Sequence, residues 1–233
     1  MTASDVTAAL LQFADERQAA ILTRFFKTGP GQYGEGDRFA GIRVPQTRLV
    51  VRQARGLPLA EIEKLLADPI HEVRLCGLLL LVDSYERSKS EAEREQLVDF
   101  YLSHTAAINN WDLVDLSAPR LLGHSLLRRD RSVLYRLAAS SNLWEQRIAL
   151  VAMWRIIRAD DFTDTLRLCE LLIDHPHDLI RKALGWMLRE VGKRDRDTLT
   201  QFLDRNASRL SRVSLRYAIE RLPEPMRQGY LRG

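Results

Sequence analysis

Apolar residues recur along this chain at three- and four-residue steps, and no stretch alternates convincingly with a period of two. That spacing predicts amphipathic helices throughout and no sheet. A first helical region runs from about Ser4 to Lys27 and stops at Thr28-Gly29-Pro30. The glycine-rich stretch from Gly29 to Gly36 reads as a loop, and Val44-Pro45 restarts a helix, since proline is tolerated in a first turn. Pro58 and Pro69 open the next two helices in the same way. Side-chain caps mark later starts: Asn109 or Asn110 before Trp111, Asn142 before Trp144, and Asp195 or Asp197 before Leu199. The pattern gives about a dozen helices joined by short turns.

A fragment repeats along these helices. It reads Val73-Arg74-Leu75-Cys76-Gly77, then Val114-Asp115-Leu116-Ser117-Ala118, then Gln146-Arg147-Ile148-Ala149. It returns as Ile180-Arg181-Lys182-Ala183 and more faintly around Arg212. A period of some 30–40 residues is that of helical-repeat arrays. In such arrays small residues let neighbouring helices approach while the charge stays on the open face. The expectation is an all-α, HEAT-like helical-repeat solenoid of about six helix pairs, its second helices lining a concave side. Residues 1–44 supply N-terminal helices and the glycine-rich loop, and residues 45–233 the repeats, in a single domain. An array of this kind ordinarily binds other proteins, so any other function must come from individual residues.

Charge changes that picture. Residues 1–127 carry 14 Lys and Arg against 17 Asp and Glu, whereas residues 128–233 carry 21 against 14. The second half is therefore net positive by seven and points to a polyanionic partner. Arginine dominates, and its planar fork suits phosphate oxygens. The longest apolar run, Leu75 to Val82, is too short to span a bilayer. The N-terminus lacks the basic and apolar regions of a signal peptide, so a cytoplasmic location is expected. Cys76 and Cys169 lie in apolar helical stretches without metal-ligand spacing and read as buried free thiols. His175 and His177 flank Pro176 in an inter-helix turn. Neither a metal nor a cofactor is expected, and the protein is read as a monomer.

Three segments concentrate chemistry. In Asn110-Trp111-Asp112-Leu113-Val114-Asp115, Trp111 and Asp115 are four residues apart and share one side of a helix. In Asn142-Leu143-Trp144-Glu145-Gln146-Arg147, the arginine takes the repeat position that Asp115 takes one repeat earlier. It could bridge to that aspartate or hold a DNA phosphate. In the third segment Lys182, Trp186 and Arg189 fall at i, i+4 and i+7, a basic stripe with an aromatic in its middle. Nucleic-acid surfaces combine cations and aromatics in this way, although a tryptophan packed on the next repeat would give the same spacing.

Together these segments resemble the bacterial AlkD family of DNA alkylation repair proteins, which are HEAT-like DNA glycosylases. The matching stretches are Phe39-Ala-Gly41-Ile42-Arg43-Val44-Pro45, Trp111-Asp-Leu-Val-Asp115 and Asn142-Leu-Trp144-Glu-Gln-Arg147. Ile180-Arg-Lys182-Ala-Leu-Gly185-Trp186-Met-Leu-Arg189-Glu190 and Leu215-Arg-Tyr217-Ala-Ile-Glu220 follow in family order. The resemblance implies a basic surface that cups duplex DNA and removes cationic N3- or N7-alkylated purines. It further implies Asp115 as the catalytic carboxylate, Trp111 and Trp186 as aromatics around the deoxyribose, and Arg147 as a phosphate ligand. Lys182, Arg189, Tyr33 and Arg43 are expected as further DNA contacts. The loop before Phe39 is one residue shorter than in the family, and Arg43 stands where a glutamine is expected.

The chemistry is consistent with a lone carboxylate. A purine alkylated at N3 or N7 is already cationic and leaves without a general acid. Positive charge then grows on the deoxyribose, where an ionised aspartate opposes it and orients water. Two other functions fit the same chain: a non-catalytic HEAT-repeat protein that binds structured DNA, and a HEAT-repeat scaffold for proteins.

Overall fold

A computed structural model describes residues 1–232. Fourteen α-helices account for most of them, and the described residues contain no strand beyond one isolated bridge between Arg38 and Ile70. The chain divides into two compact units, residues 1–117 and 118–233.

The first unit holds α1 (Ala3–Leu11), α2 (Glu16–Phe25), α3 (Val44–Gln53), α4 (Leu59–Leu66), α5 (His71–Arg87), α6 (Glu91–Ser103) and α7 (Trp111–Ser117). The first helical region is thus two helices, not one. Asp15 breaks it: its backbone N–H donates to the Ala40 carbonyl and its carboxylate caps α2 through the Gln18 N–H, at 3.0 Å. Helix α5 contains the longest apolar run and is the hub, with thirteen of its seventeen residues buried and α1, α3, α4, α6 and α7 against it. A helix covered on all sides has no polar face on which to leave charge. Its first turn nevertheless carries His71, Glu72 and Arg74, all buried.

In the second unit a π-helical segment (Pro119–Gly123) and a 3-10 turn (Leu126–Arg128) precede α8 (Ser132–Ala138), α9 (Leu143–Ile157), α10 (Thr163–Leu171), α11 (Asp178–Arg194), α12 (Arg196–Asn206), α13 (Arg212–Ala218) and α14 (Glu224–Arg232). Successive helices pack together as α8 with α9, α10 with α11, and α11 with α12. The second members then stack, α9 on α11 and α11 on α13. This is the nearest-neighbour packing of helical repeats. Asn142 and Asp195 cap α9 and α12 as their positions predict, accepting from the Trp144 and Thr198 N–H groups at 2.8 and 3.0 Å. Both cysteines are free and buried.

Small residues set the closest approaches. A Cβ added to Gly185 of α11 would sit 2.5 Å from the Ser214 carbonyl oxygen and 2.6 Å from Tyr217 Cβ, both on α13. One of those neighbours is backbone and cannot rotate away. Gly185→Ala should therefore destabilise by about 1–3 kcal/mol, although alanine is the better helix former by about 1 kcal/mol. Gly229→Ala in α14, where an added methyl meets open space, should be neutral or stabilising. Thermal melts of the two variants check this, and a Gly185→Ala protein as stable as the wild type would contradict the helix contact.

Candidate functional site

The short helix α7 carries the first candidate pair. Asp112, Leu113, Val114 and Ser117 are buried, whereas Trp111 and Asp115 are half-exposed, so the accessible stripe of the helix holds both. Their four-residue spacing thus places them on the open side, as expected. The Trp111 ring stacks on Phe26 at 5.0 Å between centroids and 17° between planes. Phe25, itself exposed, meets it edge-on at 5.8 Å. Phe26 stacks in turn on Phe39 at 4.9 Å, and Phe39 on the His71 imidazole at 4.5 Å. Trp111 therefore has one face on Phe26, which is itself clustered with Phe39 and His71, a geometry that fixes its orientation. Asp115 is close enough to the fully buried Tyr101 that its charge adds to burial in pushing that phenol's pKa upward.

Beneath this pair is a buried ionic network that the sequence did not announce. His71 Nδ1 is 2.9 Å from Asp37 Oδ2, and its Nε2 is 2.8 Å from Asp112 Oδ2. Arg74 Nη2 donates to the other oxygen of Asp37, and to Asn109 Oδ1 at 3.1 Å. Asn110 Nδ2 donates to Asp37 at 3.2 Å, while its Oδ1 accepts from the Trp111 backbone N–H at 2.9 Å. Two ionised carboxylates can only accept, so both ring nitrogens donate and His71 is an imidazolium. Burial opposes that charge, but the hydrogen bonds to Asp112 and Asp37 and their two charges outweigh it, raising the pKa to about 9. Burial likewise works against an ionised Asp37, yet His71 and Arg74 hold its pKa below the ordinary value. The neighbouring Glu72 accepts the backbone N–H groups of Ala40, Gly41 and Ile42 at 2.9–3.0 Å. Gly41 has φ +82°, and a side chain there would strike the Asp15 backbone.

Tyr33 and Arg43 belong to the same unit. The Tyr33 hydroxyl donates to the Phe25 carbonyl at 3.4 Å, with Lys27 Nζ 6.0 Å from its ring centroid. Arg43 is exposed, donates to Gln18 Oε1 at 3.3 Å, and borders a cavity of about 300 Å³ lined by Leu22, Phe25, Phe26, Phe39, His71 and Asp112.

In the second unit the expected cations differ in their availability. Arg147 is buried, with 5% of its surface exposed, and Nη1 donates to the Leu179 carbonyl at the start of α11, 2.7 Å away. Arg189 pairs with Glu220 of the following repeat and lies 3.7 Å from Glu190. Lys182 is half-exposed and has no ion pair among the described residues. Trp186 is half-exposed, its indole N–H donating to Glu190 Oε1 at 3.2 Å, and Lys193 reaches the same oxygen at 2.7 Å. Glu190 and Glu220 thus offset part of the basic stripe.

The recurring arginines explain the repeat signal differently from the open-face expectation. Arg74 donates to the Asp68 carbonyl and Arg181 to the His175 carbonyl, each six residues back. Arg147 and Arg212 donate forward, to the Leu179 and Leu231 carbonyls. These carbonyls lie in turns and near helix ends, where side-chain donors supply backbone partners, so this position fastens one helix to the next. The missed residues, Asp37, His71, Arg74 and Asp112, had one visible signal: charged side chains crowded onto the first turn of the most apolar helix.

The network gives folding stability a defined pH dependence. His71 has a folded pKa raised from the ordinary 6.5 to about 9. Its contribution is full below the unfolded value and is lost as pH rises through about 9. Asp37 has the opposite sign, its contribution disappearing only in acid as pH falls through its lowered pKa. The urea midpoint of the wild type should fall between about pH 7 and pH 9.5, and that slope should flatten in His71→Asn. A midpoint that is level or rises over this range would contradict the imidazolium bridge.

Comparison with known proteins agrees with the helical-repeat geometry. No curated protein matches the chain. A solved structure described as a predicted DNA alkylation repair enzyme from Enterococcus faecalis superposes with a TM-score of 0.72 at 19% identity, covering 92% of this chain and 99% of that one. A second, described as one of a new family related to the HEAT-like repeat DNA glycosylases with affinity for branched DNA structures, gives a TM-score of 0.59 at 12% identity. It covers 91% of this chain and 84% of its own. At these identities the likeness speaks to the fold, which is that of the HEAT-like repeats. The family model for the DNA alkylation repair enzymes matches residues 6–222, nearly the whole of the sequence, and the chain belongs to that family.

Proposed function

We propose that the protein is a DNA glycosylase that hydrolyses the N-glycosidic bond of cationic N3- or N7-alkylated purines in duplex DNA. The observation that carries this reading is the half-exposed Trp111–Asp115 pair. The nearby carboxylates of Asp37, Asp112 and Glu72 are buried and engaged by His71, Arg74 and backbone N–H groups. Asp115 is the more accessible carboxylate, and it lies one helical turn from an aromatic ring whose far face is already supported.

In the reaction, the bond between C1′ and the purine nitrogen breaks, and its electron pair neutralises the cationic base. The sugar becomes oxocarbenium-like, and its charge is opposed by Asp115 and by the electron-rich face of Trp111. Water adds to C1′ and yields a proton to Asp115 or to solvent. Lys182, with no ion pair among the described residues, is the leading phosphate ligand. Arg189, Tyr33 and Arg43 are further contacts, and Trp186 is a second aromatic contact to the DNA. Arg147, which also donates to the Leu179 carbonyl, is a further phosphate contact. DNA binding without excision is the second reading, favoured by the internal pairing of Arg189 and by the relative described as having affinity for branched DNA.

Asp115→Asn should keep its fold and duplex affinity while single-turnover release of 7-methylguanine slows by roughly 10²-fold or more, a typical scale for one preorganised electrostatic group. Well-folded Asp115→Asn that excises normally would remove the catalytic assignment, and a wild type without excision would favour the binding reading. Affinity for plain duplex should also fall steeply between about 50 and 200 mM salt, because phosphate contacts release counterions. Binding that ignores salt would point to a protein partner instead.

A further inference from the structure

We infer that His71, wedged between Asp37 and Asp112 against the Phe26–Phe39 ring pair, is a positioning residue for the Trp111–Asp115 pair. The inference rests on the reading of that pair given above and extends it to a group that touches neither DNA nor the reacting atoms.

The geometry converges on the segment that leads into α7. His71 grips Asp112, the residue after Trp111, at 2.8 Å. Through Asp37 it is tied to Asn110, the residue before Trp111, and Arg74 holds Asn109. These side chains come from α5, from the loop at Asp37 and from α7, so three separate parts of the first unit meet at one imidazole. The same imidazole touches Phe39 at 4.5 Å and Phe26 at 5.1 Å, and Phe26 is the ring on which Trp111 lies. A cation against aromatic faces attracts them, so the charge on His71 holds Phe39 and Phe26 in place while its hydrogen bonds fix the start of the helix.

The groups that face His71 have defined states. Asp37 and Asp112 accept its two N–H groups, and Arg74 adds the one further positive charge in direct contact with the network. Glu72, next in sequence, points instead to the Ala40–Ile42 backbone. Loss of the His71 proton leaves one carboxylate facing a ring nitrogen that no longer donates. Two acceptors then oppose each other in a buried site, which costs more than a weakened bond. The contact at Asp112 or at Asp37 must open, and either change frees the start of α7. A shift of about 1 Å in a catalytic group can lower turnover about a hundredfold, so a small movement of Trp111 and Asp115 suffices.

The test uses the full chain and two readouts. In the wild type, the Trp111 indole N–H resonance, assigned with Trp111→Phe, should shift with the His71 imidazole signals through a common midpoint near pH 9. Single-turnover excision should decline along the same limb. His71→Gln should excise about tenfold more slowly or worse, with duplex affinity unchanged, a displaced Trp111 resonance, and no limb near pH 9. Asp112→Asn, which keeps the Asp37 half of the bridge, should show an intermediate loss and serves if His71→Gln does not fold. A Trp111 signal and an excision rate that stay constant while His71 titrates would overturn the inference. A His71→Gln protein that melts earlier but excises normally when folded would also overturn it. If the wild type excises nothing, the role of Asp115 falls while the indole signal still decides the coupling: movement with His71 upholds it, and immobility overturns it.

Discussion

The first turn of α5 buries three charged side chains, and the first unit is organised around satisfying them. His71 and Arg74 need acceptors, and Asp37 and Asp112 supply these from a loop and from a helix 30 to 40 residues away in sequence. Glu72 needs donors, and the backbone of residues 40–42 bends through a left-handed Gly41 to provide three. Buried ion pairs of this kind are weak sources of net stability, because desolvation offsets most of the attraction. Removing one partner, however, leaves an uncompensated charge and is strongly destabilising. The network therefore acts chiefly by selecting one arrangement of α5, α7 and the intervening loop. The wall that bears Trp111 and Asp115 is a consequence of that selection.

Legibility in the sequence follows the range of the interactions. Helix periodicity, the caps at Asn142 and Asp195, the proline at the start of α3 and the burial of both cysteines are settled by contacts within a few residues, and all could be read. The break between α1 and α2 could not, because Asp15 becomes a stop only when Ala40 comes back to accept its N–H. The His71 bridge was hidden for the same reason: its members are spaced by 34 and 41 residues, and nothing local links them. The Trp111–Asp115 pair was visible because one helical turn joins the two, which is a local relation. Its support was not visible, because Phe26 and Phe39 arrive from elsewhere in the chain.

The repeat arginine shows how a correct pattern can carry a mistaken physical cause. An arginine recurring at fixed spacing on a charged repeat protein suggests a row of phosphate ligands. In the folded chain Arg74, Arg147, Arg181 and Arg212 each donate to a backbone carbonyl, and the first two are buried. The guanidinium suits this task because several donors lie in one rigid plane, so a carbonyl and a second group can be held together. The recurrence is thus a requirement of stacking one helix pair on the next. It would persist in any protein built this way, whether or not it met nucleic acid.

That conclusion sharpens the significance of Asp115. If the position were a phosphate site, an aspartate there would be a single lost contact in a series. Because the position is a fastening, an aspartate there means that this repeat lacks the guanidinium donor that its counterparts direct at a backbone carbonyl. The first turn of this helix is held by Asn110, Asp112 and the imidazolium below them. The departure from the repeat and the buried ionic network therefore meet in one short helix: the network fixes its first turn, and the repeat position one turn along carries a half-exposed carboxylate beside an oriented tryptophan.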